Sequence, residues 1–307
     1  MVELKHSFPE SFFEEEDRLG FHIDRKRKEI WAVELDMLYE LDRVCKKLDV
    51  KYFLDGGTLL GAARDGRFIP WDDDIDVAML REDYDRFVRK APKEFKHPLF
   101  LQTGYTEPGY LRGHCQLRNS NTSAIRPVEI GKFFFNQGIF LDVFVLDELF
   151  DDRIDAQYEE RELYRKKRRD LLRRYNNNFH GSVPRQLFQR LRYLLYNKLF
   201  GRPKAYYAGL EAIFRSYRKS EFVDYLTLNT GREQVHHLRR EWYKDVKILE
   251  FEGVSFPAPI GYLDYLNAYY GEDWRTPKML PSVHAAKGQV IFDVDRPYIE
   301  LRKELYK

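Results

Sequence analysis

Cysteine is nearly missing from this sequence: Cys45 and Cys115 are the only two in 307 residues. Two thiols build no disulfide framework and cannot close a zinc site by themselves. Each lies in an apolar run and reads as a small buried hydrophobe, and a reducing compartment suits both. No apolar stretch approaches the roughly 18 residues that a membrane span needs. Met1–Glu16 shows no apolar region behind a basic start, so a secretory leader is not expected. Internal repeats and low-complexity stretches are missing too. These absences argue against a disulfide-stapled module, a membrane-spanning helix and a repeat solenoid. The expectation is a cytoplasmic protein, peripheral on the inner face of a membrane if it meets one.

What is present describes a globular chain. Hydrophobic residues make up 43% and charged residues 33%, enough of each for a core and a soluble surface. The 21 Tyr and 23 Phe suit stacking surfaces, although a filled core accounts for most of them. The net charge of +2 conceals a segregation: Arg161 to Lys219 holds 17 Lys+Arg against 3 Asp+Glu, so the remainder is acidic. Segregation of sign points to a partner of opposite charge.

Periodicity sets the expected elements. Apolar residues from Ile30 to Leu48 recur at three- and four-residue steps, which predicts a helix over 24–48. Val50–Leu54 turns extended, Asp55-Gly56-Gly57 punctuates it, and Leu59–Ala63 reads as a short helical turn closed by Asp65-Gly66. A strand is expected through Asp74–Met79, a polar surface helix over Arg81–Lys90, and strands at Leu99–Thr103 and His114–Arg118. Gly138–Leu146 is apolar on both faces and belongs at the centre of a sheet. Residues 151–176 and 184–219 read as basic helices, 223–257 as short extended pieces, and Pro257–Tyr270 as a helix stopped by Gly271. The expected fold is α/β (α+β), a mixed sheet with helices. It divides into a catalytic core over 1–150, a basic helical subdomain over 151–222, and a segment over 223–307 that completes the catalytic domain.

One constellation carries chemistry. In Asp74-Ile75-Asp76 the two carboxylates project together from a strand, because residues i and i+2 face the same way. Like charges so close repel unless a cation lies between them. Oxygen-only ligands suit Mg²⁺, with Mn²⁺ as the alternative. An acidic turn in solvent is the plainer reading of an isolated Asp-x-Asp, and three features weigh against it. Gly56-Gly57-Thr58 opens a helical turn directly after a strand, where backbone N–H groups can meet a phosphate. Asp142 sits mid-strand between Phe140 and Phe144, costly unless paired with an Arg or bound to metal. Arg64 can clamp a phosphate or pair with a nearby Asp. Three carboxylates on two strands beside a Gly-Gly turn are the parts of a two-metal phosphoryl-transfer site.

Asp55-Gly56-Gly57-Thr58-Leu59-Leu60-Gly61-Ala62-Ala63-Arg64, followed by Phe68-Ile69-Pro70-Trp71-Asp72-Asp73-Asp74-Ile75-Asp76-Val77, resembles the signature of the LicD family. The match is dense over about residues 50–80. Tyr262-Leu263, Tyr269-Tyr270-Gly271, Trp274 and Pro277 resemble the family more loosely, and the basic middle over 151–220 matches nothing. The resemblance implies the nucleotidyltransferase superfamily fold, with Asp74 and Asp76 on metal and Asp142 at the position of the third carboxylate. It implies transfer of phosphocholine from CDP-choline to a sugar of a bacterial surface polymer, such as teichoic acid or lipopolysaccharide. In relatives that include fukutin and fukutin-related protein it implies transfer of ribitol phosphate from CDP-ribitol. A glycan hydroxyl attacks the distal phosphorus and cytidine monophosphate leaves. The donor is then CDP-choline, CDP-ribitol or CDP-glycerol, and the acceptor a glycan or lipid-linked glycan. The sequence departs from the pattern after Arg64, where a His and a Lys- or Gly-containing turn are expected. Asp65-Gly66-Arg67 stands there, with Arg67 as the substitute cation.

Other residues carry two readings each. Trp71 fits an aromatic cage for a quaternary ammonium or packs below the metal site. Arg118 is a phosphate contact or a surface charge. His114 and His284 are bases or structural. Asp72 and Asp73 bond Arg64 or backbone. Leu187, Phe188, Leu191, Leu194, Leu195 and Leu199 share a helical stripe flanked by Arg185, Arg190, Arg192 and Lys198. Such a stripe over 184–200 either docks on anionic lipid or packs on a core, with packing slightly ahead. No nucleic-acid-binding pattern accompanies the basic segment. Two rival functions share these residues: a nucleotidyltransferase that releases pyrophosphate, and a catalytically inactive binding protein, against which the three carboxylates speak.

Overall fold

The computed structural model describes residues 1–307 except 108, 132, 134, 176–181, 186, 189–190, 192–202, 217, 229–235, 280–289 and 306–307. In chain order the strands are β1 (Glu16–Arg18), β2 (Phe21–Ile23), β3 (Phe53–Leu54), β4 (Asp76–Leu80), β5 (Leu99–Gln102), β6 (Cys115–Asn119), β7 (Ser123–Ile125) and β8 (Ile139–Leu149). They continue with β9 (Phe222–Asp224), β10 (Leu238–Arg239), β11 (Val246–Phe251), β12 (Val254–Pro259) and β13 (Ile291–Asp293). The helices are α1 (Arg25–Leu48), α2 (Gly56–Asp65), α3 (Arg81–Lys90), α4 (Ile154–Tyr175), α5 (Pro203–Glu211), α6 (Tyr262–Tyr270) and α7 (Tyr298–Leu305).

The architecture is a mixed α/β fold around β8. As its apolar run predicts, β8 is buried almost throughout and lies inside the sheet. Its first half pairs antiparallel with β6, its middle pairs parallel with β4, and its last residues pair antiparallel with β9. β3 adds antiparallel to β4 and β5 to β6. The C-terminal part of the chain rejoins this framework through β9 and β10 and through β13, which pairs with β7.

Helix α1 starts where Asp24 accepts the Arg27 N–H at 2.8 Å and ends at Asp49, whose φ of 52° is left-handed. Its apolar stripe buries Trp31, Val33, Leu38, Leu41 and Val44 against β6 and β8. Helix α3 is less exposed than a polar surface helix, because Arg81, Tyr84 and Phe87 all face inward. The expected helix from Pro257 is corrected: Pro257–Pro259 finish β12 opposite β11, and α6 begins only at Tyr262. The prolines sit in a two-stranded ribbon, where missing N–H donors are tolerated.

The basic segment has its own small apolar cluster, in which Tyr164 of α4 and Tyr207 and Leu210 of α5 pack with Leu111, Leu149, Phe214 and Leu226. In the expected 184–219 helix, α5 ends at Glu211 and Ala212–Phe214 form turns. Of the apolar stripe, Leu187, Phe188 and Leu191 are exposed, so these three do not pack on a core. Leu194, Leu195, Leu199, Arg190, Arg192 and Lys198 lie outside the described residues. Among the described residues no helix is long and apolar enough to cross a membrane.

Candidate active site

The site begins where β3 ends. Asp55 keeps extended backbone angles and α2 opens on Gly56 and Gly57. Gly56 has φ +51°, and a Cβ there would stand 3.0 Å from Asp76 Oδ2. A Cβ on Gly57 would stand 2.2 Å from Asp72 Oδ2. Both glycines therefore let the acidic segment close against the start of the helix. Thr58 Oγ1 accepts the Asp76 N–H at 2.9 Å, and the Asp55 N–H donates to Asp76 O at 3.1 Å. These bonds fix the first residue of β4 against α2.

The structure brings Asp74, Asp76 and Asp142 together, with one carboxylate oxygen of each within 4.8 Å of the others. Asp76 and Asp142 are direct partners in the parallel pairing of β4 with β8. Asp74 precedes the strand, yet the Asp142 N–H donates to Ile75 O at 3.0 Å, so the extended geometry continues one residue upstream. Burial, then Asp74, Asp142 and Asp55, push the Asp76 carboxyl far above the usual range. Its Oδ1 is shielded from solvent and has no hydrogen-bond partner. Burial also acts against ionised Asp142, but His114, Arg112 and Gln116 overcome it and hold the carboxyl well below the ordinary value. His114 Nε2 at 2.9 Å and Gln116 Nε2 at 2.6 Å both donate to Asp142 Oδ1. Among the described residues no side chain or backbone donor is bonded to Oδ2. Burial favours the neutral imidazole of His114, whose Nδ1 is shielded and unpartnered. Three close carboxylates, one with an orphaned oxygen and one with its second oxygen free, fit a divalent cation of the Mg²⁺ type.

Two of the expected phosphate contacts are placed elsewhere. Arg118 is 2% exposed, and its guanidinium is spent inside the sheet. Its Nε donates to Gln102 Oε1 at 2.6 Å, its Nη1 to Gly138 O at 2.6 Å and its Nη2 to Gln116 Oε1. That last bond orients the Gln116 amide so that its nitrogen faces Asp142. Burial and then Arg112 hold the Arg118 guanidinium down to about 10. Arg64 lies at the far end of α2 and pairs with Asp65 at 2.8 Å. Arg67 reaches toward Glu16 at 3.9 Å. Trp71 is half-buried and meets Phe21 edge-on at 6.4 Å. His284 falls outside the described residues.

Several neighbours had no sequence signal. Asp55 is buried and accepts from the hydroxyls of Tyr225 at 2.7 Å and Tyr265 at 2.8 Å. Tyr265 stacks on Tyr269, which stacks on His236 at 4.1 Å. On the other side, Asp72, Asp73 and Asp74 form a second close acidic group. Arg27 Nη1 at 2.8 Å and Trp31 Nε1 at 3.0 Å both donate to Asp72 O. Glu34 of α1 is buried beneath it, its carboxyl raised by burial and then by Asp74, Asp73 and Asp72. The spacing of Arg27, Trp31 and Glu34 along one helical face is legible, but what that face meets is not.

A mixed sheet thus presents carboxylates from parallel neighbours β4 and β8 beside a glycine-opened helix. Residues 49–177 match the family described as LicD/FKTN/FKRP, nucleotidyltransferase domain. It is 26% identical over 249 residues to the lipopolysaccharide cholinephosphotransferase LicD of Haemophilus influenzae, covering 79% of this chain and 89% of that protein. It is 52% identical over 40 residues to the human ribitol 5-phosphate transferase FKRP, a match to 13% of this chain and 8% of that protein. An uncharacterized protein of Rickettsia typhi is 36% identical over 69 residues, 22% of this chain and 20% of that protein.

Proposed function

We propose that this chain transfers a phospho-alcohol group, in the first instance phosphocholine, from a CDP-activated donor to a hydroxyl of a cell-surface glycan. The carrying observation is the Asp74–Asp76–Asp142 group with the orphaned Asp76 Oδ1, set against the start of α2. The likeness to a lipopolysaccharide cholinephosphotransferase and, over a short stretch, to a ribitol 5-phosphate transferase supports a phospho-alcohol as the group moved.

The roles follow from position. Asp74, Asp76 and Asp142 hold Mg²⁺ or Mn²⁺; when bound, the metal supplies positive charge that acidifies the attacking hydroxyl and steadies the leaving phosphate. Asp142 is held ionised and in one orientation by Gln116 and His114, so its free oxygen is fixed before substrate arrives. Gly56, Gly57 and Thr58 place the start of α2 beside the carboxylates, where a phosphate is electrostatically favoured. Asp142 is buried while Asp74 and Asp76 are half-buried, so the group is open to solvent on one side.

The test is product analysis with Mg²⁺, a glycan acceptor, and CDP-choline, CDP-ribitol or CDP-glycerol in turn. Free cytidine monophosphate and a phospho-alcohol on the glycan are expected with one of these donors. Asp76→Asn is expected to lower turnover by about 10³-fold, the scale of losing one strong transition-state electrostatic contact. Pyrophosphate as the released product would instead assign a nucleotidyltransferase, and full activity in Asp76→Asn would remove the carboxylates from the chemistry.

A further inference from the structure

We propose that Tyr225 and Tyr265 are positioning residues: they hold the Asp55 carboxylate away from the first turn of α2 and so keep that turn's N–H groups open for the diphosphate of the donor. The proposal rests on the transferase reading for the identity of the ligand, and on the hydrogen bonds to Asp55 for its place.

Asp55 stands at the N-cap position of α2 with extended backbone angles, φ −140° and ψ 168°. An aspartate there ordinarily turns its side chain onto the N–H groups of the first turn. Asp24 does so in α1: from a similar ψ of 164° it accepts the Arg27 N–H at 2.8 Å. Asp55 does not cap its helix. Its side chain is buried and turned to two phenol hydroxyls instead. Tyr225 Oη lies 2.7 Å from each carboxylate oxygen, and Tyr265 Oη donates to Oδ1 at 2.8 Å. Tyr265 Oη also accepts the Gly56 N–H at 3.4 Å. Among the described residues no acceptor is bonded to the N–H of Gly57 or Thr58, the two that an N-cap aspartate is placed to take.

The tyrosines come from 170 and 210 residues further along the chain. Tyr225 follows β9 directly and Tyr265 lies in α6, so the C-terminal part of the chain reaches the start of α2 at this point. Both rings are buried. Tyr225 meets Phe144 of β8 edge-on at 5.9 Å, and Tyr265 stacks on Tyr269 at 5.4 Å. The turn they guard adjoins the metal carboxylates: a Cβ on Gly56 would stand 3.0 Å from Asp76 Oδ2, and Asp76 Oδ1 is shielded and unpartnered. A phosphate on this turn therefore lies beside the cation that the carboxylates would hold. A buried carboxylate that loses its donors must find others. Without the hydroxyls, Asp55 has the backbone geometry to cap α2 as Asp24 caps α1. It would then occupy the donors that a phosphate needs and set its own negative charge at the helix end.

The probe is inorganic pyrophosphate, titrated by calorimetry with Mg²⁺ into wild type, Tyr225→Phe, Tyr265→Phe, the double variant, and the double variant with Asp55→Ala added. Mn²⁺ affinity, read by electron paramagnetic resonance, and urea midpoints are measured alongside. The double variant is expected to raise the pyrophosphate dissociation constant about 10-fold and to leave that of Mn²⁺ within about twofold. Adding Asp55→Ala is expected to bring pyrophosphate binding back to within about threefold of wild type, because no carboxylate remains to cap the helix. A merely structural role gives the opposite order, since a third lost side chain deepens the damage. Each single variant keeps one hydroxyl on Asp55 and carries the same comparison, with and without Asp55→Ala, if the double variant does not fold. Unchanged pyrophosphate binding without the hydroxyls, no recovery on adding Asp55→Ala, a parallel loss of Mn²⁺ affinity, or no binding to wild type would each overturn the proposal. The probe carries neither base nor alcohol. The expected pattern without turnover of any CDP-alcohol would therefore sink the transferase reading and leave the positioning role standing.

Discussion

Gln116 shows how far a single residue can be read. Its type says nothing about metal chemistry, yet its amide bonds Asp142 Oδ1 at 2.6 Å, and Arg118 fixes which end of the amide does so. Gln116→Leu removes that donor and leaves His114 alone on the carboxylate. Metal affinity is expected to fall about 10–100-fold, the range for lost partners of metal ligands. Titration of Mn²⁺ followed by electron paramagnetic resonance reads this without turnover; an unchanged dissociation constant would reduce Gln116 to a packing role. The close grouping of Asp74, Asp76 and Asp142 was legible in the sequence because an Asp-x-Asp beside a glycine turn restricts what the chain can do. Gln116 was not, because its partner depends on the antiparallel register that sets Gln116 opposite Asp142. The arginines teach the same lesson from the other side. Residue type cannot separate a guanidinium spent inside the sheet, such as Arg118, from one that makes no hydrogen bond among the described residues, such as Arg126.

At the scale of elements, the apolar runs predicted β8 and α1 well, because a long one-sided or two-sided pattern admits few alternatives. The helix expected from Pro257 was misread because the ribbon partner β11, far shorter in signal, decides that segment. The β8–β9 pair shows what pattern cannot reveal at all: it sets Asp147 opposite Asp224. Like charges face to face destabilise a sheet. Asp147 is matched by Arg81, at 2.7 and 2.9 Å, while burial pushes the Asp224 carboxyl from 3.8 up to about 6. A folded-state value above the unfolded one means that folding favours the protonated form. The stability gained below about pH 4 is then lost as pH rises through about 6, by about 2–3 kcal/mol. Asp224→Asn stays neutral and is expected to flatten this part of the profile. Urea unfolding of both proteins at pH 4.5 and 7 measures it; an equal change in the two would clear Asp224 of the effect.

For the whole molecule, the sequence disclosed that a basic segment follows an acidic core, but not how the two are joined. One joint is Arg81, a residue that reads as part of a polar surface helix. Its guanidinium grips Asp147 of β8 with two bonds and reaches Glu211 of α5 at 3.4 Å, tying α3, the central strand and the basic segment at one buried point. Asp147 and Glu211 are themselves 0% and 4% exposed. Removing the cation strands Asp147 without its guanidinium, while Glu211 keeps Arg215 at 3.1 Å and the Tyr105 hydroxyl. Arg81→Met is therefore expected to cost about 3–5 kcal/mol, as for other broken buried pairs. Adding Asp147→Leu, which removes the stranded charge, is expected to recover part of that loss, because an apolar replacement needs no partner. Urea unfolding of the single and double variants decides the matter. If Arg81→Met unfolds at the wild-type midpoint, the contact is solvated and carries no load between the two halves. If the single variant is weakened and the double variant is not rescued, Glu211 is the carboxylate that needs the cation most, and the basic segment is held by α5 more than by β8.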